Sequence, residues 1–447
     1  MPRHFTTIHD LSNDEIEAVF RRADRYLEAL GTSTNGHRLT GRVADADGRI
    51  LATIFFEPST RTRLSFESAM TRLGGSCVSS ADAASSSASK GESIADTVRV
   101  IESYADVLVI RSPWEGAARV AADFAGVPVI NAGDGGHEHP TQTLCDLYTL
   151  RREHKTLANA SVLLCGDLKH GRTIHSLIYA LARFGATIIP LAADGLGLPQ
   201  HVRRRLREEF DVHGVPVDSD GDVPVDVVYQ QPDRDHQLSL VPDVGDAAKP
   251  ALKNYLEQVD VCYVTRSQKE RQDGDTGGRY PRIDKEFLGR DAFRDSRIMH
   301  PLPRVTELGY DLDADARAVY FKQAAYGVPV RMALLAALLD EGFGNARPHA
   351  DASVDPGRYA CTNNRCVTNA DSERGHIRQR FDLAGRDFPL LRCGYCEHEL
   401  RPAIVALRGS QSIDANLENW RDADRSDLIF FESLEDAARA GYRAVGT

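Results

Sequence analysis

Apolar positions along this chain switch between helical and extended spacing, and the switching predicts its architecture. Helical spacing runs from Ser12 to Leu30 and again from Thr62 to Leu73, where Leu64, Phe66, Ala69 and Met70 are the apolar members. Short apolar runs that read as strands lie at Leu51 to Phe56, Val107 to Ile110 and Val127 to Ile130. A second series begins at Ser161, where SVLLCG reads as a buried strand and Thr173 to Phe184 as the helix after it. Strands are expected next at Thr187 to Leu191, Val225 to Tyr229 and Val259 to Val264. Alternation of this kind predicts an α/β fold with two tandem, mostly parallel, Rossmann-like sheet domains. The expected domains are 1–149 and 150–318, joined near a helix from Pro140 to Arg151. A C-terminal helix at 319–345, strongly apolar over Arg331 to Leu339, returns to the first domain. Residues 230–256 are polar, proline-bearing and weakly periodic, and read as a surface insertion. Beyond a Gly, Pro, Ala and Asp-rich linker at 346–357 come a small cysteine module at 358–403 and an acidic extension at 404–447. In the extension, FFESLEDAARAGYR reads as a strand end and a short helix.

Composition narrows the function. With 447 residues, two or three cores are expected. A formal charge of −11 disfavours general affinity for nucleic acid or an anionic membrane, so any anion must be held by local clusters of donors. The opening residues, MPRHFTTIHDLSNDE, contain no apolar core of signal-peptide length, and the longest apolar run, Met332 to Leu339, is too short to span a bilayer. A cytoplasmic enzyme is the expectation. Cys77, Cys145, Cys165 and Cys262 are scattered and read as reduced, packed thiols. Cys361, Cys366, Cys393 and Cys396 instead form two close pairs separated by a polar stretch, the spacing of a tetrahedral zinc site. Two disulfides are the competing reading, disfavoured in the cytoplasm. Four thiolates would fill the shell of the metal, so the expected zinc is structural, in a zinc-ribbon-like β domain.

Several motifs carry anion chemistry. The strand ending Ile54-Phe55-Phe56 breaks at Pro58, and Ser59, Thr60, Arg61, Thr62 and Arg63 then open a helix. Free N–H groups, hydroxyls and a guanidinium fork at a helix start make a phosphate cradle, although a capped helix with two solvated arginines fits the same letters. Arg111 follows a strand, at the end where open α/β sheets bind ligands. In NAGDGGHEHPTQT, His139 and Gln142 stand at a helix start with Pro140 in its first turn, His139 being either a ligand group or a capping and packing residue. SSSASKGES, with Lys90 as its one cation, suits either a flap over an anion or a solvated linker. GDLKHGRTIHSL lacks the G-x-G-x-x-G spacing of dinucleotide sites. Arg172 at this turn, with Arg266 and Gln268 after a later strand, offers two guanidinium forks to a ligand with two carboxylates. In the stretch His300 to Arg304, two prolines stiffen a loop that exposes the Leu302 carbonyl to an amine.

Taken in order across roughly residues 1 to 345, FFEPSTRTRLSFE, SASKGES, HPTQTLCDLYT, GDLKHGRT, VTRSQKER and MHPLPR resemble the catalytic chain of the aspartate carbamoyltransferase family. STRTR with HPTQ is a carbamoyltransferase pattern, and HPLPR stands where ornithine enzymes carry a cysteine-containing H-C-L-P motif. CTNNRC and RCGYCE resemble the zinc domain of that family's regulatory chain, which implies a catalytic–regulatory fusion. The resemblance implies transfer of the carbamoyl group of carbamoyl phosphate to L-aspartate, giving N-carbamoyl-L-aspartate and phosphate in de novo pyrimidine synthesis. It implies that 1–149 binds carbamoyl phosphate through Ser59, Thr60, Arg61, Thr62, Ser86, Lys90, Arg111, His139 and Gln142, helped by the Leu302 and Pro303 carbonyls. Within this set Arg61, Thr62, Arg111, His139 and Gln142 would be catalytic, while Lys90, Arg172, Arg266 and Gln268 would hold aspartate. Arg63 reads as an ion-pairing residue outside the ligand set. Ser86 and Lys90 would reach in from a neighbouring subunit of a homotrimer, with a dimer of trimers left open, and no catalytic metal or organic cofactor would be needed.

Two departures stand out. The linker is too short for the nucleotide-binding domain that precedes the zinc domain in the separate regulatory chain, so no response to CTP or ATP is expected. The acidic extension is longer than the zinc domain requires. Competing readings are a carbamoyltransferase for another amine such as ornithine, a zinc-ribbon nucleic-acid module on an α/β scaffold, and a regulatory or structural pseudoenzyme.

Overall fold

A computed structural model describes residues 2–31, 39–80, 91–192, 196–210, 227–228, 259–268, 280, 282–289, 291–340, 343, 353–354, 359–385, 388–408, 412–413, 420 and 423–444. Helix α1 (Asn13–Leu30) starts at a reciprocal cap: Ser12 Oγ accepts from Glu15 N while the Glu15 carboxylate accepts from Ser12 N. It buries Ile16, Val19, Phe20 and Ala23. The first sheet follows as β1 (Ile50–Phe55), α2 (Thr60–Arg72), β2 (Ser76–Ser80), α3 (Ile94–Ile101), β3 (Val107–Ser112), α4 (Ala117–Phe124) and β4 (Val129–Asp134), with α5 (Pro140–His154) leaving it. Its order is β2-β1-β3-β4, every pair parallel. The last strand is offset from its expected place: β4 runs on to Asp134 and carries Gly133 towards the loops at the sheet's carboxyl edge.

The second sheet is built from β5 (Ser161–Gly166), α6 (Arg172–Arg183), β6 (Thr187–Ala192), α7 (Gln200–Phe210), β7 (Val227–Val228), β8 (Val261–Val264) and β9 (Arg297–Met299). Its order, β7-β6-β5-β8-β9, is again parallel throughout. Residues 230–256, read as an insertion, lie outside the described residues.

Helix α8 (Tyr320–Leu339) packs on α1, α2 and α5, joining both α/β halves through one continuous core. It lies within the expected 319–345 and runs through Pro329, a residue that ordinarily breaks a helix. Tertiary contacts override it: Lys322 Nζ and Tyr326 Oη hold Glu153 at 3.1 and 2.8 Å, and Gln323 Nε2 holds Asp146 at 2.7 Å, all ahead of the proline.

The cysteine module is an antiparallel sheet of β10 (Ser353–Val354), β11 (Phe381–Ala384), β12 (Leu390–Cys393) and β13 (Glu399–Leu400). The extension forms a sheet of its own, β14 (Ile404–Leu407), β15 (Ser412–Ile413), β16 (Leu428–Phe431) and β17 (Arg443–Ala444), in the order β16-β14-β15-β17. Helix α9 (Leu434–Arg439) follows β16, with Ser433 Oγ accepting from Asp436 N, so the predicted strand end and short helix are both present.

The cysteine module shares a core with the first sheet: Ala117, Ala118 and Ala121 of α4 cluster with Cys366, Phe381, Leu391 and Tyr395. Gly116 makes this approach possible. It takes φ +87°, and a Cβ there would lie 2.6 Å from Tyr395 Cβ. Backbone pairing adds Glu115 N to Arg365 O and Val367 N to Glu115 O, both at 2.9 Å. On the other side α7 is tied to the module by Arg205 with Glu397, Arg204 with Glu399 and Glu209 with Arg392.

Candidate active site

Loops at the carboxyl ends of both sheets enclose a cavity of about 400 Å³. Ser59, Thr60, Arg61 and Thr62 form one wall. Ser59 occupies the N-cap position of α2, yet its side chain makes no cap hydrogen bond. The hydroxyl is therefore not spent on the helix, which removes the capping explanation for that residue. Arg63 turns away from the cavity and pairs with Glu67 at 3.8 Å. Among the described residues Arg61 has no ion pair; burial, then the neighbouring Arg266, weakens its hold on its proton. Two guanidinium groups lining one cavity make a site for an anion.

Arg111 lies where the β3–β4 register shifts, and its Nη1 donates to Ala132 O at 3.2 Å. Arg172 opens α6 and donates to Gly135 O at 3.0 Å. Glu57 bridges the two, 3.3 Å from Arg111 Nη2 and 3.0 Å from Arg172 Nη1. Gly133 leaves them room: a Cβ there would stand 3.1 Å from Arg172 Cζ and 3.3 Å from Arg111 Nη1.

His139 precedes α5, and like Ser59 it makes no side-chain cap bond; its backbone N donates to Ser176 Oγ at 2.9 Å. One turn on, Gln142 Nε2 donates to Asp146 at 2.7 Å. Opposite, Arg266 and Gln268 extend beyond β8, where the Gln268 backbone N is fixed by Asp167 at 3.1 Å. Leu302 takes φ +53°, uncommon for a branched side chain, and His300 holds it there. Leu302 N donates to His300 Nδ1 at 2.7 Å, which leaves Nε2–H to donate to Glu307 at 2.9 Å. Burial lowers the His300 pKa, consistent with this neutral ring.

The residues expected from sequence to hold carbamoyl phosphate and aspartate that fall within the described residues therefore meet in one cavity, Leu302 and Pro303 included. Ser86 and Lys90 lie outside the described residues. Sequence reading missed Glu57, Ser65, Gln323 and Arg331, which also line the cavity. Glu57 sits inside the FFEPSTRTR motif and was open to recognition as a counter-charge. Arg331 gave no signal, being embedded in an apolar helix; it reaches Ser65 Oγ at 3.1 Å, and a Cβ on Gly327 would collide with its guanidinium.

The four cysteines of the module are buried and unbridged, and their Sγ atoms all lie within 4.8 Å of one another. Cys361 to Cys396 is 3.6 Å and Cys366 to Cys393 is 3.8 Å. A tetrahedron with metal–sulfur bonds of about 2.3 Å has edges of about 3.8 Å, whereas a disulfide needs about 2.05 Å. The tetrad fits a tetrathiolate metal site. His137, Glu138 and Glu397 also converge, within an ion network in which Asp134 holds His137 at 2.9 Å and Arg205 holds Glu397 at 2.5 Å.

Residues 3–152 match the family described as aspartate/ornithine carbamoyltransferase, carbamoyl-P binding domain, and residues 246–338 match its Asp/Orn binding domain. An aspartate carbamoyltransferase catalytic subunit from Clostridium acetobutylicum is 41% identical over 336 residues, 74% of this chain and 95% of that one. This chain belongs to the aspartate/ornithine carbamoyltransferase family. The corresponding subunit of Thermococcus kodakarensis is 43% identical over 338 residues, covering 74% of this chain and 96% of its own. Among solved structures, the catalytic subunit of M. jannaschii aspartate transcarbamoylase is similar with a TM-score of 0.59 and 39% identity, over 77% of this chain and all of that one. Residues 356–406 match the metal-binding domain of the aspartate carbamoyltransferase regulatory chain. A carbamoyltransferase catalytic chain and a regulatory-type metal-binding domain are thus fused in one polypeptide. None of its described helices is long and apolar enough to cross a membrane.

Proposed function

We propose that this carbamoyltransferase uses L-aspartate as acceptor, forming N-carbamoyl-L-aspartate and phosphate from carbamoyl phosphate at the first committed transfer of pyrimidine synthesis. The observation that carries the reading is that the Ser59–Thr62 cradle and the Arg172–Arg266 pair open into one cavity of about 400 Å³. One end suits a phosphate, the other a dicarboxylate, and both fit side by side.

In this reading the phosphate rests on Ser59, Thr60, Arg61 and Thr62, with Arg111 at its bridging edge. Thr62, Arg111 and His139 polarise the carbamoyl carbonyl and stabilise the oxyanion that forms when the aspartate amine attacks carbon. Gln142 and the Leu302 and Pro303 carbonyls accept from the carbamoyl NH₂. Arg172, Arg266 and Gln268 grip the aspartate carboxylates. The C–N bond forms first, the C–O bond to phosphate then breaks as the oxyanion collapses, and the departing phosphate takes the amine proton, so rate comes from positioning and fixed charge. Ser86 and Lys90 complete the site from a neighbouring subunit of a homotrimer, Lys90 touching both substrates. Zinc in the thiolate tetrad is structural, with a closed shell. The enzyme works in the cytoplasm.

Ornithine would set an ammonium against two guanidinium groups, which disfavours it as acceptor. Product formation with each amine, measured together with native mass and metal content, tests the reading. Activity with ornithine alone, or a monomeric active species, would overturn the corresponding part. Mixing inactive Lys90→Ala and Arg61→Ala subunits should restore part of the activity if sites are shared.

A further inference from the structure

Asp146 stands behind the cavity wall, not on it, and is almost wholly buried. Three donors from three elements converge on its carboxylate. Gln142 Nε2 of α5 and Gln323 Nε2 of α8 each approach Oδ1 at 2.7 Å, and Tyr263 Oη of β8 approaches Oδ2 at 2.8 Å. Burial pushes its pKa up to about 6 while these donors pull the other way, so at neutral pH the group is a carboxylate and can only accept.

That restriction fixes both glutamines. The two ends of a primary amide have nearly the same shape, and only a partner's chemistry decides which way it points. With each nitrogen on Asp146, each oxygen must face away. The Gln323 oxygen accepts from His300 N at 2.9 Å, and His300 in turn fixes Leu302 through Nδ1. The Gln142 oxygen is left to the cavity. An unbroken relay, Gln142–Asp146–Gln323–His300–Leu302, thereby sets up acceptors at both ends of one pocket.

Resting on the carbamoyl-transfer reading above, we propose that Asp146 is the positioning residue by which this site distinguishes a carbamoyl group from an acetyl group. A carbamoyl NH₂ meets acceptors on both sides. An acetyl methyl of similar size leaves them unmet, and a site built to hydrogen-bond a group penalises the analogue that lacks it. Asparagine at 146 would offer a donor as well as an acceptor, so Gln142 would be free to turn its nitrogen into the cavity.

The test is the pair of dissociation constants for carbamoyl phosphate and acetyl phosphate, measured by calorimetry without aspartate on the unmodified enzyme, Asp146→Asn and Gln323→Leu. The unmodified enzyme should bind carbamoyl phosphate at least about tenfold more tightly, and Asp146→Asn should bring the ratio to within about threefold, mainly by weakening carbamoyl phosphate. Gln323→Leu, which cuts the relay from the far side, should give an intermediate ratio should the first variant fold poorly. Equal weakening of both ligands, or an unmodified enzyme that does not discriminate, would overturn the proposal. Failure of the aspartate reading shows elsewhere, as absence of carbamoyl-aspartate from an enzyme whose binding ratio is intact.

Discussion

Glu57 and Arg172 meet across the two sheets, 3.0 Å between carboxylate and guanidinium. Glu57 lies just beyond β1 and Arg172 opens α6, so this single contact ties the phosphate cradle to the loop that would hold aspartate. Because Glu57 also faces Arg111, its loss would leave two cations without their shared counter-charge. Glu57→Ala should lower kcat/KM for aspartate by about ten- to a hundredfold, about 1.4 to 2.7 kcal/mol of transition-state stabilisation. Steady-state kinetics with each substrate varied in turn would check it; unchanged aspartate kinetics would exclude a role in joining the two halves.

Arg61 and Arg266 face each other across the cavity but should fail differently. Arg61→Ala removes the guanidinium proposed to lie over the phosphate and should cost about a thousandfold or more in kcat. Arg266→Ala should chiefly raise KM for aspartate, leaving carbamoyl phosphate binding nearly intact. Identical phenotypes would mean that one of the two is misassigned.

Asp146 gives the pH dependence a sign. Its carboxyl is held near 6 by burial, against Gln323, Tyr263 and Gln142, with Arg331 and Cys145 as the other titratable groups beside it. Between the ordinary carboxylate range and about pH 6 the folded chain keeps a proton that the unfolded chain has released, so this group favours folding as pH falls through that window. Activity runs the other way, since the relay needs the carboxylate. Affinity for carbamoyl phosphate should therefore fall below about pH 6 without loss of fold, with circular dichroism and binding followed on the same samples.

Much of this site was legible because its residues are local. Ser59 to Thr62, His139 with Gln142, and His300 to Pro303 each belong to one short stretch at the turn after a strand or the start of the next helix, and their side chains need no distant partner to be recognised. What stayed hidden depends on long-range contact. Asp146 looks like an ordinary polar residue of α5 until Tyr263 and Gln323 are placed against it. The Lys322, Gln323 and Tyr326 contacts to α5 that carry α8 past Pro329 are equally absent from the local sequence. The extension gave away its β16 and α9 but not its sheet, because β14 finds its partner β16 only after an intervening polar stretch.

Removal of a metal held by the thiolate tetrad should loosen more than the cysteine module. Tyr395 and Phe381 share a core with α4, so chelation or Cys366→Ser should lower Tm by at least about 10 °C and expose the four thiols to reagent together. Gly116→Ala, which brings a Cβ against Tyr395, should destabilise by about 1–3 kcal/mol with the metal still bound. Denaturation that leaves the first two domains unaffected in both cases would contradict a shared core.

The most direct measurement is product formed from carbamoyl phosphate with L-aspartate or L-ornithine as sole acceptor. Carbamoyl-aspartate and phosphate should appear in equal amounts, with no carbamoyl-ornithine. Preferential carbamoylation of ornithine, or phosphate release without either product, would contradict an aspartate site built from Arg172 and Arg266.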